Sequence, residues 1–318
     1  MAIQYQQENQ LFSLNTKHTT YQMKVDSKGF LLHLYYGGKI SGNMAYLLTY
    51  YDRGFSGNPA DAGNDRTYSL DALPQEYPHL GTGDYRNTAL VIRNADGSEY
   101  CDLRYVRHEI RRGKYGLKGL PAVHAPEAEA ESLEILLEDS VSRVQVRLLY
   151  GVLEDEDIIT RSAEIINLGD GPVCVEKAAS ACLDFVGGEY DLVSFYGRHA
   201  MERNFQRTRI AHGCQVIGSR RGTSSHQYNP AVILADKGAT EDAGSCYGMV
   251  FVYSGNFMCE AERDQYGQTR ALMGLHSDLF HYPLEKGEKL VIPETILCYS
   301  AQGFGGLSRR YHRCIRKH

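Results

Sequence analysis

Hydrophobic and polar residues alternate with a period of two along most of this 318-residue chain. Such alternation is typical of half-buried strands, whereas an amphipathic helix repeats every 3.6 residues. Turn residues recur at intervals of about 8–12 residues, which favours a sandwich or a barrel. Strands are predicted at Tyr21–Asp26, Phe30–Tyr36, Leu90–Arg93, Glu99–Tyr105, Leu133–Glu138, Arg143–Tyr150, Ile158–Ile166, Val173–Phe185, Arg203–Ala211, Ala231–Ala235, Tyr247–Tyr253, Met258–Arg263, Thr269–Met273 and Lys289–Tyr299. We therefore predict an all-β fold, a large antiparallel β-sandwich.

Two stretches interrupt the alternation. Asp52–Tyr85 is rich in Gly, Pro, Asp and Asn, and loops of this length are usually functional or disordered. Its aromatic residues argue against disorder. In Gly305–His318, Leu307, Tyr311 and Cys314 share one helical face and basic residues cover the rest, which predicts a helix. Because no capping residue ends this helix, we expect the chain to continue beyond it.

Composition narrows the classes of function. The net charge of -5 gives no excess of basic residues that could bind phosphates, so we expect no nucleic-acid partner. No apolar run approaches the ~18 residues of a membrane span, and the polar N-terminus lacks the apolar segment of a secretory signal. The eight cysteines form no C-x-x-C pair, which predicts reduced, mostly buried thiols and a cytoplasmic protein.

The sequence shows none of the common catalytic or nucleotide-binding motifs, and no alternation of strands and helices typical of a catalytic barrel. Its carboxylates cluster in surface runs such as Glu127–Glu131. His226 could act as a general base or a metal ligand, but a structural histidine near a loop is the simpler interpretation. We therefore predict no catalytic residue, metal or cofactor in this chain.

The aromatic composition is unusual, with 23 tyrosines and no tryptophan. Tyrosine offers an apolar ring face and a polar hydroxyl, a combination that suits sugar contacts as well as packing at a sandwich edge. Two segments combine aromatics, arginines and carboxylates: the loop beginning at Asp52 and the stretch Ser194–Arg207. Composition alone leaves both interpretations open.

Several long motifs resemble the N-terminal region of bacterial-type family 36 α-galactosidases, in the same order and over essentially the whole chain. They are DRGFSGNP (Asp52–Pro59), DRTYSLDALPQEYP (Asp65–Pro78), GTGDYR (Gly81–Arg86), SRRGTSSHQYNP (Ser219–Pro230), YGMVFVYSGNF (Tyr247–Phe257), ERDQYGQTRALMG (Glu262–Gly274) and PETILCYSAQGFGGLSRRYH (Pro293–His312). The resemblance implies a β-supersandwich of the galactose-mutarotase-like kind.

The resemblance also implies a domain plan. Residues 1–304 would form the N-terminal β-supersandwich domain, and residues 305–318 the start of a linker helix to a catalytic (β/α)8 barrel that this chain does not contain. That barrel would supply both catalytic aspartates for retaining hydrolysis of raffinose- or melibiose-type α-galactosides. Family enzymes are often homo-tetramers in which the N-terminal domain of one subunit helps to close the active site of another.

Three candidate substrate-contact residues follow from the resemblance. The aspartate of the D-R-x-F-S motif is Asp52, and the arginine of D-R-T-[FY]-S-L is Arg66. Where the family often has Trp-Gly-Arg, this chain has Tyr196-Gly197-Arg198, so Tyr196 would be the aromatic of the pocket wall. Tyrosine keeps a flat face but shortens the ring, which puts the strength of that contact in question. In the alternative interpretation, Asp52 and Arg66 only fix their own loop.

Two other functions are compatible with the sequence. The first is a stand-alone aldose epimerase, which needs an acid–base pair such as His226 with Glu260 or Glu262. The second is a free-standing carbohydrate-binding module, against which the lack of tryptophan counts.

Overall fold

A computed structural model of the chain describes residues 2–51 and 57–318. Within them, the strands are β1 (Ile3–Gln6), β2 (Leu11–Asn15), β3 (Thr19–Val25), β4 (Leu31–Gly38), β5 (Leu90–Arg93), β6 (Leu103–Arg112), β7 (Glu131–Asp139), β8 (Val144–Leu153), β9 (Ile158–Asn167), β10 (Val173–Phe185), β11 (Tyr190–Arg198), β12 (Met201–Arg209), β13 (Gly213–Ser219), β14 (Tyr228–Asp236), β15 (Cys246–Phe251), β16 (Phe257–Arg263), β17 (Thr269–Leu275), β18 (Tyr282–Leu284), β19 (Lys289–Val291) and β20 (Thr295–Ser300). An α-helix, α1, spans Gly303–Lys317, and short 3-10 turns lie at Met44–Leu47, Ala60–Ala62 and Glu127–Glu129.

The described strands form three antiparallel sheets. The first contains β1-β2-β3-β4 in sequence order. The second has the order β13-β16-β17-β10-β18, with β5 also paired to β10. The third and largest has the order β12-β11-β14-β15-β20-β9-β8-β7-β6, with β19 also paired to β9. This is the all-β sandwich that the alternating pattern predicts.

All three sheets contribute to one main hydrophobic core. Phe12 comes from the four-stranded sheet, Val175 and Met273 from the six-stranded sheet, and Leu148 and Ile165 from the ten-stranded sheet. Each of these side chains is completely buried, because alternate residues of a strand point to the same face. The alternation in the sequence therefore records which face of each strand meets this core.

A second, smaller core lies beneath α1. Leu307 and Cys314 of the helix are buried with Ile296 and Cys298 of β20, and the Tyr311 hydroxyl donates a hydrogen bond of 3.1 Å to the Ile296 carbonyl. The helix thus covers the ten-stranded sheet with its apolar stripe. The predicted helix at the C-terminal end is confirmed, and it begins two residues earlier than the sequence pattern indicates.

Strand prediction missed β11 and several short or exposed strands. The predicted strand Arg203–Ala211 corresponds to β12, which lies two residues earlier, but its partner β11 was not predicted, because Leu192 and Val193 are both buried and the pattern of β11 does not alternate. The prediction also missed the short β1 and β2 and the polar β13. The single strand predicted at Lys289–Tyr299 is two strands, since Pro293 has no N–H to donate to a ladder.

A buried ion pair lies where the sheets meet. Arg161 of β9 places Nη1 2.8 Å from Oε1 of Glu76, and both side chains are at most 1% exposed. The hydroxyls of Tyr21 and Tyr150 donate to the same carboxylate at 2.6 and 2.8 Å, and His33 Nδ1 lies 3.1 Å from its other oxygen. Glu76 belongs to the long segment between β4 and β5, so this pair ties that segment to two sheets.

No helix in the described part of the chain is long and apolar enough to cross a membrane.

We predict that Glu76→Gln destabilises the chain by about 3–5 kcal/mol, because it leaves the buried guanidinium of Arg161 without a counter-charge. The matched control is Glu189→Gln. Glu189 pairs with Arg209 at 2.7 Å, but both side chains are half exposed, so less than ~1 kcal/mol should be lost. Chemical denaturation of both variants measures the difference, and equal losses would contradict a structural role for the buried pair.

The pH dependence of the free energy of unfolding provides a second test of the buried pair. Burial alone would raise the pKa of Glu76, but the charge of Arg161 and the contact with His33 hold that pKa below its usual value. A lowered pKa in the folded state contributes stability that is present above the unfolded pKa and is lost as the pH falls. Wild-type stability should therefore decline below about pH 5, and the decline should be shallower in Glu76→Gln.

Candidate functional site

The hairpin of β11 and β12 forms one edge of the ten-stranded sheet and carries Tyr196. The β11–β12 register shifts between Tyr196 and Arg198, which leaves a bulge at Gly197. A Cβ atom on Gly197 would come within 2.5 Å of the Met201 carbonyl oxygen, so only glycine allows this close approach of the two strands. The glycine of the Tyr-Gly-Arg sequence thus allows β11 and β12 to approach closely beside Tyr196.

Neighbouring residues of β11 face opposite sides of the sheet. Phe195 packs towards α1, where its ring lies 6.0 Å from that of Phe205. Tyr196 lies in register with Tyr228 at the start of β14, and the two side chains are 44% and 41% exposed. Two half-exposed tyrosines therefore stand side by side on adjacent strands.

The two tyrosines line a depression of about 370 Å³ on the surface between β11, β12 and β13. Its walls are formed by Ser194, Phe195, Tyr196, Gly197, Arg198, Gln206, Ile217, Arg221, Gln227 and Tyr228. Aromatic faces beside guanidinium and amide groups can cover the apolar face of a sugar and bond its hydroxyls. We name this the tyrosine depression. Tyr228 lies within the motif Ser219–Pro230, yet sequence reasoning did not single it out.

Arg66 lies elsewhere on the surface. It is exposed and lines a separate depression of about 540 Å³ together with Asn58, Pro59, Ala60, Gly63, Asn64 and Asp65. Asp65 shapes the turn there by accepting hydrogen bonds from the Thr67 amide and hydroxyl at 2.9 and 2.7 Å. Arg66 and Tyr196 therefore line two different depressions. Asp52 falls outside the described residues.

The segment that carries Arg66 is anchored by buried charges. Arg270 of β17 lies 2.7 Å from Asp84 and 2.6 Å from Asp184, and all three side chains are at most 1% exposed. Arg86 lies 2.9 Å from Asp84 and donates to the Leu70 carbonyl at 2.7 Å. Burial would raise the pKa of Asp84, but the two guanidinium groups keep it below its usual value. These contacts tie the part of the segment around Asp84 and Arg86 to β17 and β10.

The acid–base pair of the epimerase hypothesis does not form. His226 is exposed in the turn before β14 and, among the described residues, makes no hydrogen bond or ion pair with Glu260 or Glu262. Glu260 forms an ion pair with Lys177, and Glu262 accepts a hydrogen bond of 2.6 Å from the Asn87 amide. Burial raises the pKa of Glu262, but no acid–base partner faces it among the contacts described.

A larger cleft of about 630 Å³ lies along the polar side of α1. It is basic, with Arg309, Arg310, Arg313 and Arg316 on its helical wall. Asp157 balances part of this charge, since it lies 3.3 Å from Arg310. Neither Arg66 nor Tyr196 lines this cleft.

Comparison with known proteins links the chain to α-galactosidases. The family described as glycosyl hydrolase family 36 N-terminal domain matches residues 29–285. The bifunctional α-galactosidase/sucrose kinase AgaSK of Mediterraneibacter gnavus is 64% identical over 100% of this chain and 34% of its own length. α-Galactosidase Mel36A of Lactobacillus acidophilus is 39% identical over 99% of this chain and 43% of its own length.

Solved structures of α-galactosidases also match this chain. The galactosidase domain of AgaSK superposes with a TM-score of 0.98, covering 100% of this chain and 44% of that one. A variant of AgaA from Geobacillus stearothermophilus in complex with raffinose is 40% identical and superposes with a TM-score of 0.94, over 97% of this chain and 43% of that one. The chain thus spans between a third and a half of the length of these relatives.

We expect the exposed ring of Tyr196 to contribute little to folding, so Tyr196→Ala should change stability by less than ~1 kcal/mol. Tyr190→Ala is the matched control, because Tyr190 lies on the same strand but is only 8% exposed, and its loss should cost about 3–5 kcal/mol. Thermal or chemical denaturation compares the two. A large loss for Tyr196→Ala would mean that this ring serves packing rather than contact with another molecule.

Proposed function

Because the chain belongs to the family of glycosyl hydrolase family 36 N-terminal domains, we propose that it serves as the non-catalytic N-terminal domain of an α-galactosidase, where it contributes part of the substrate pocket and of the oligomer contacts. The resemblance drawn from the sequence motifs is confirmed at the level of the family. The observation that carries the proposal is the tyrosine depression, an exposed aromatic surface on a domain whose relatives include an enzyme crystallised with raffinose.

The chemistry would belong to another part of the enzyme. Retaining hydrolysis requires two carboxyl groups about 5–5.5 Å apart across the glycosidic bond. We propose that a catalytic barrel following residues 305–318 supplies them. The predicted boundary between residues 1–304 and 305–318 stays part of this proposal. A separate catalytic barrel is consistent with the lack of an acid–base pair at His226 among the described residues. Neither the epimerase nor the free-standing binding module is favoured.

We assign complementary roles to the three predicted contact residues. Asp52 would accept hydrogen bonds from sugar hydroxyls, and Arg66 would orient that carboxylate or the sugar through charge-assisted bonds. Tyr196 would cover an apolar sugar face, with Tyr228 beside it. Since Arg66 and Tyr196 line different depressions, they would touch different parts of an oligosaccharide or act in different subunits.

The edge hairpin also supports a homo-oligomer. Met201 and Phe205 of β12 are 50% and 53% exposed, and Tyr196 of β11 is 44% exposed. Neighbouring exposed apolar side chains commonly mark interaction surfaces. We infer that a second subunit or the catalytic barrel covers this hairpin.

We also infer a cytoplasmic location, since all eight cysteines are free and six are buried.

We predict that the purified chain releases no nitrophenol from nitrophenyl α-galactoside, since both catalytic carboxylates would lie in the barrel. A full-length α-galactosidase assayed in parallel is the positive control. Turnover by the chain that resists further purification would overturn the assignment as a non-catalytic domain.

We further predict that Asp52→Ala in the full-length enzyme lowers kcat/KM by roughly 10- to 150-fold, because a charge-assisted hydrogen bond to substrate is worth about 1.5–3 kcal/mol. The same change in the isolated chain should shift stability by less than ~1 kcal/mol. Asp170→Ala is the matched control, since Asp170 is 98% exposed in a surface pair with Lys286 and should alter neither quantity. A sharp loss of stability with normal kinetics would identify Asp52 as a brace of its own loop.

A further inference from the structure

Three side chains with metal-binding chemistry converge on the outer face of the six-stranded sheet. Cys174 and Glu176 are two residues apart on β10 and therefore point to the same side. The register of β10 with β18 pairs Cys174 with Pro283 and Val175 with Tyr282, so the next position places His281 opposite Glu176. The ligand atoms of these three residues all lie within 4.8 Å of one another.

We propose that Cys174, Glu176 and His281 bind a divalent transition-metal ion, with Zn²⁺ as the best match. A thiolate, a carboxylate and an imidazole are the three ligand types that zinc takes in proteins, at about 2.0–2.3 Å. Mg²⁺ and Ca²⁺ are excluded by this set, since both prefer oxygen ligands throughout.

The geometry requires a small rearrangement. Ligands of a tetrahedral zinc ion with these bond lengths lie roughly 3.3–3.8 Å apart. The widest separation, up to 4.8 Å, must therefore close by about 1 Å, while the contact between Nδ1 of His281 and Oε2 of Glu176 must open to admit the ion. The side chain of His281 is 63% exposed and has room to move, whereas Cys174 lies on β10 between β5 and β18.

A second contact orients the carboxylate. Nη2 of Arg93, on the neighbouring strand β5, lies 3.5 Å from Oε1 of Glu176 and 3.1 Å from Oε1 of Glu99. It thereby leaves Oε2 of Glu176 directed towards His281. Partners that hold a ligand in this way are a regular feature of metal sites. The positive charge of Arg93 would also repel a metal ion, but its contact with the carboxylate of Glu99 partly neutralises that charge.

Such a site would fasten the short strand β18 to β10. Strand β18 has only three residues, and β10 is the only strand it pairs with among the described residues. Three protein ligands leave one tetrahedral position for water or for a group from another molecule. The thiol proton is released to solvent when the metal binds.

Titration of the untagged chain with Co²⁺, a spectroscopic substitute for Zn²⁺, tests the proposal. We expect one equivalent to bind with the intense near-ultraviolet absorption of a thiolate–cobalt bond, and Zn²⁺ to displace it. Cys174→Ser should abolish that absorption. His281→Gln, an exposed change that spares the fold, should weaken binding at least about tenfold.

Cys214→Ser is the matched control, because Cys214 is the most exposed cysteine and lies on another strand of the same sheet. It should bind Co²⁺ as the wild type does. Three results would each overturn the proposal: no thiolate–cobalt absorption in the wild type, an absorption that persists in Cys174→Ser, or unchanged affinity in His281→Gln. Circular dichroism of each variant confirms that a lost signal does not come from unfolding.

Discussion

The buried pair of Arg161 and Glu76 is the interaction on which the rest of the structure depends. Removing both charges from water costs several kcal/mol each, so the pair is tolerated only because nearly every polar atom has a partner. Tyr21 and Tyr150 bring those partners from two different sheets. An arrangement of the sheets that separated Arg161 from Glu76 would leave a buried charge without a partner, which is strongly unfavourable.

A second group of buried charges, around Arg270, anchors the segment before β5, which has little regular structure. Asp84 lies within that segment and Asp184 on β10, and both contact the one guanidinium. A loop held by desolvated charges cannot shift without exposing or unpairing them, which is costly. The turn that carries Arg66 therefore rests on an ordered base.

Alternation in the sequence was sufficient to predict the sandwich because it records one-sided burial in strands such as β5 and β7, although others such as β9 and β20 are buried on both faces. It located β12 two residues late and did not find β11, where the adjacent Leu192 and Val193 are both buried and break the alternation. Nor could it place Tyr228 beside Tyr196, since that neighbourhood arises from strand pairing between distant segments. The family resemblance located Tyr196 and Arg66 along the chain, but only the fold revealed that they line different depressions. In the sequence, Glu76 is an ordinary polar residue of a loop and Arg161 a polar position of a predicted strand, so nothing indicates that they pair.

The edge position of β12 bears on how the domain works. An unpaired edge strand risks uncontrolled pairing with other chains, and proteins commonly counter this with charged side chains. Strand β12 follows that rule with Arg203, Arg207 and Arg209, yet the same hairpin exposes the rings of Phe205 and Tyr196. The arginines discourage another strand from pairing with the edge of β12, while the exposed rings offer apolar area for contact. This combination suits a hairpin that contacts a partner through its side chains rather than through an added strand. Phe205 packs with Phe195 and Phe304 on the side of α1, whereas Tyr196 lies on the opposite side, so the two rings belong to different faces of the hairpin. Only a surface lying across the Tyr196 face would also border the tyrosine depression.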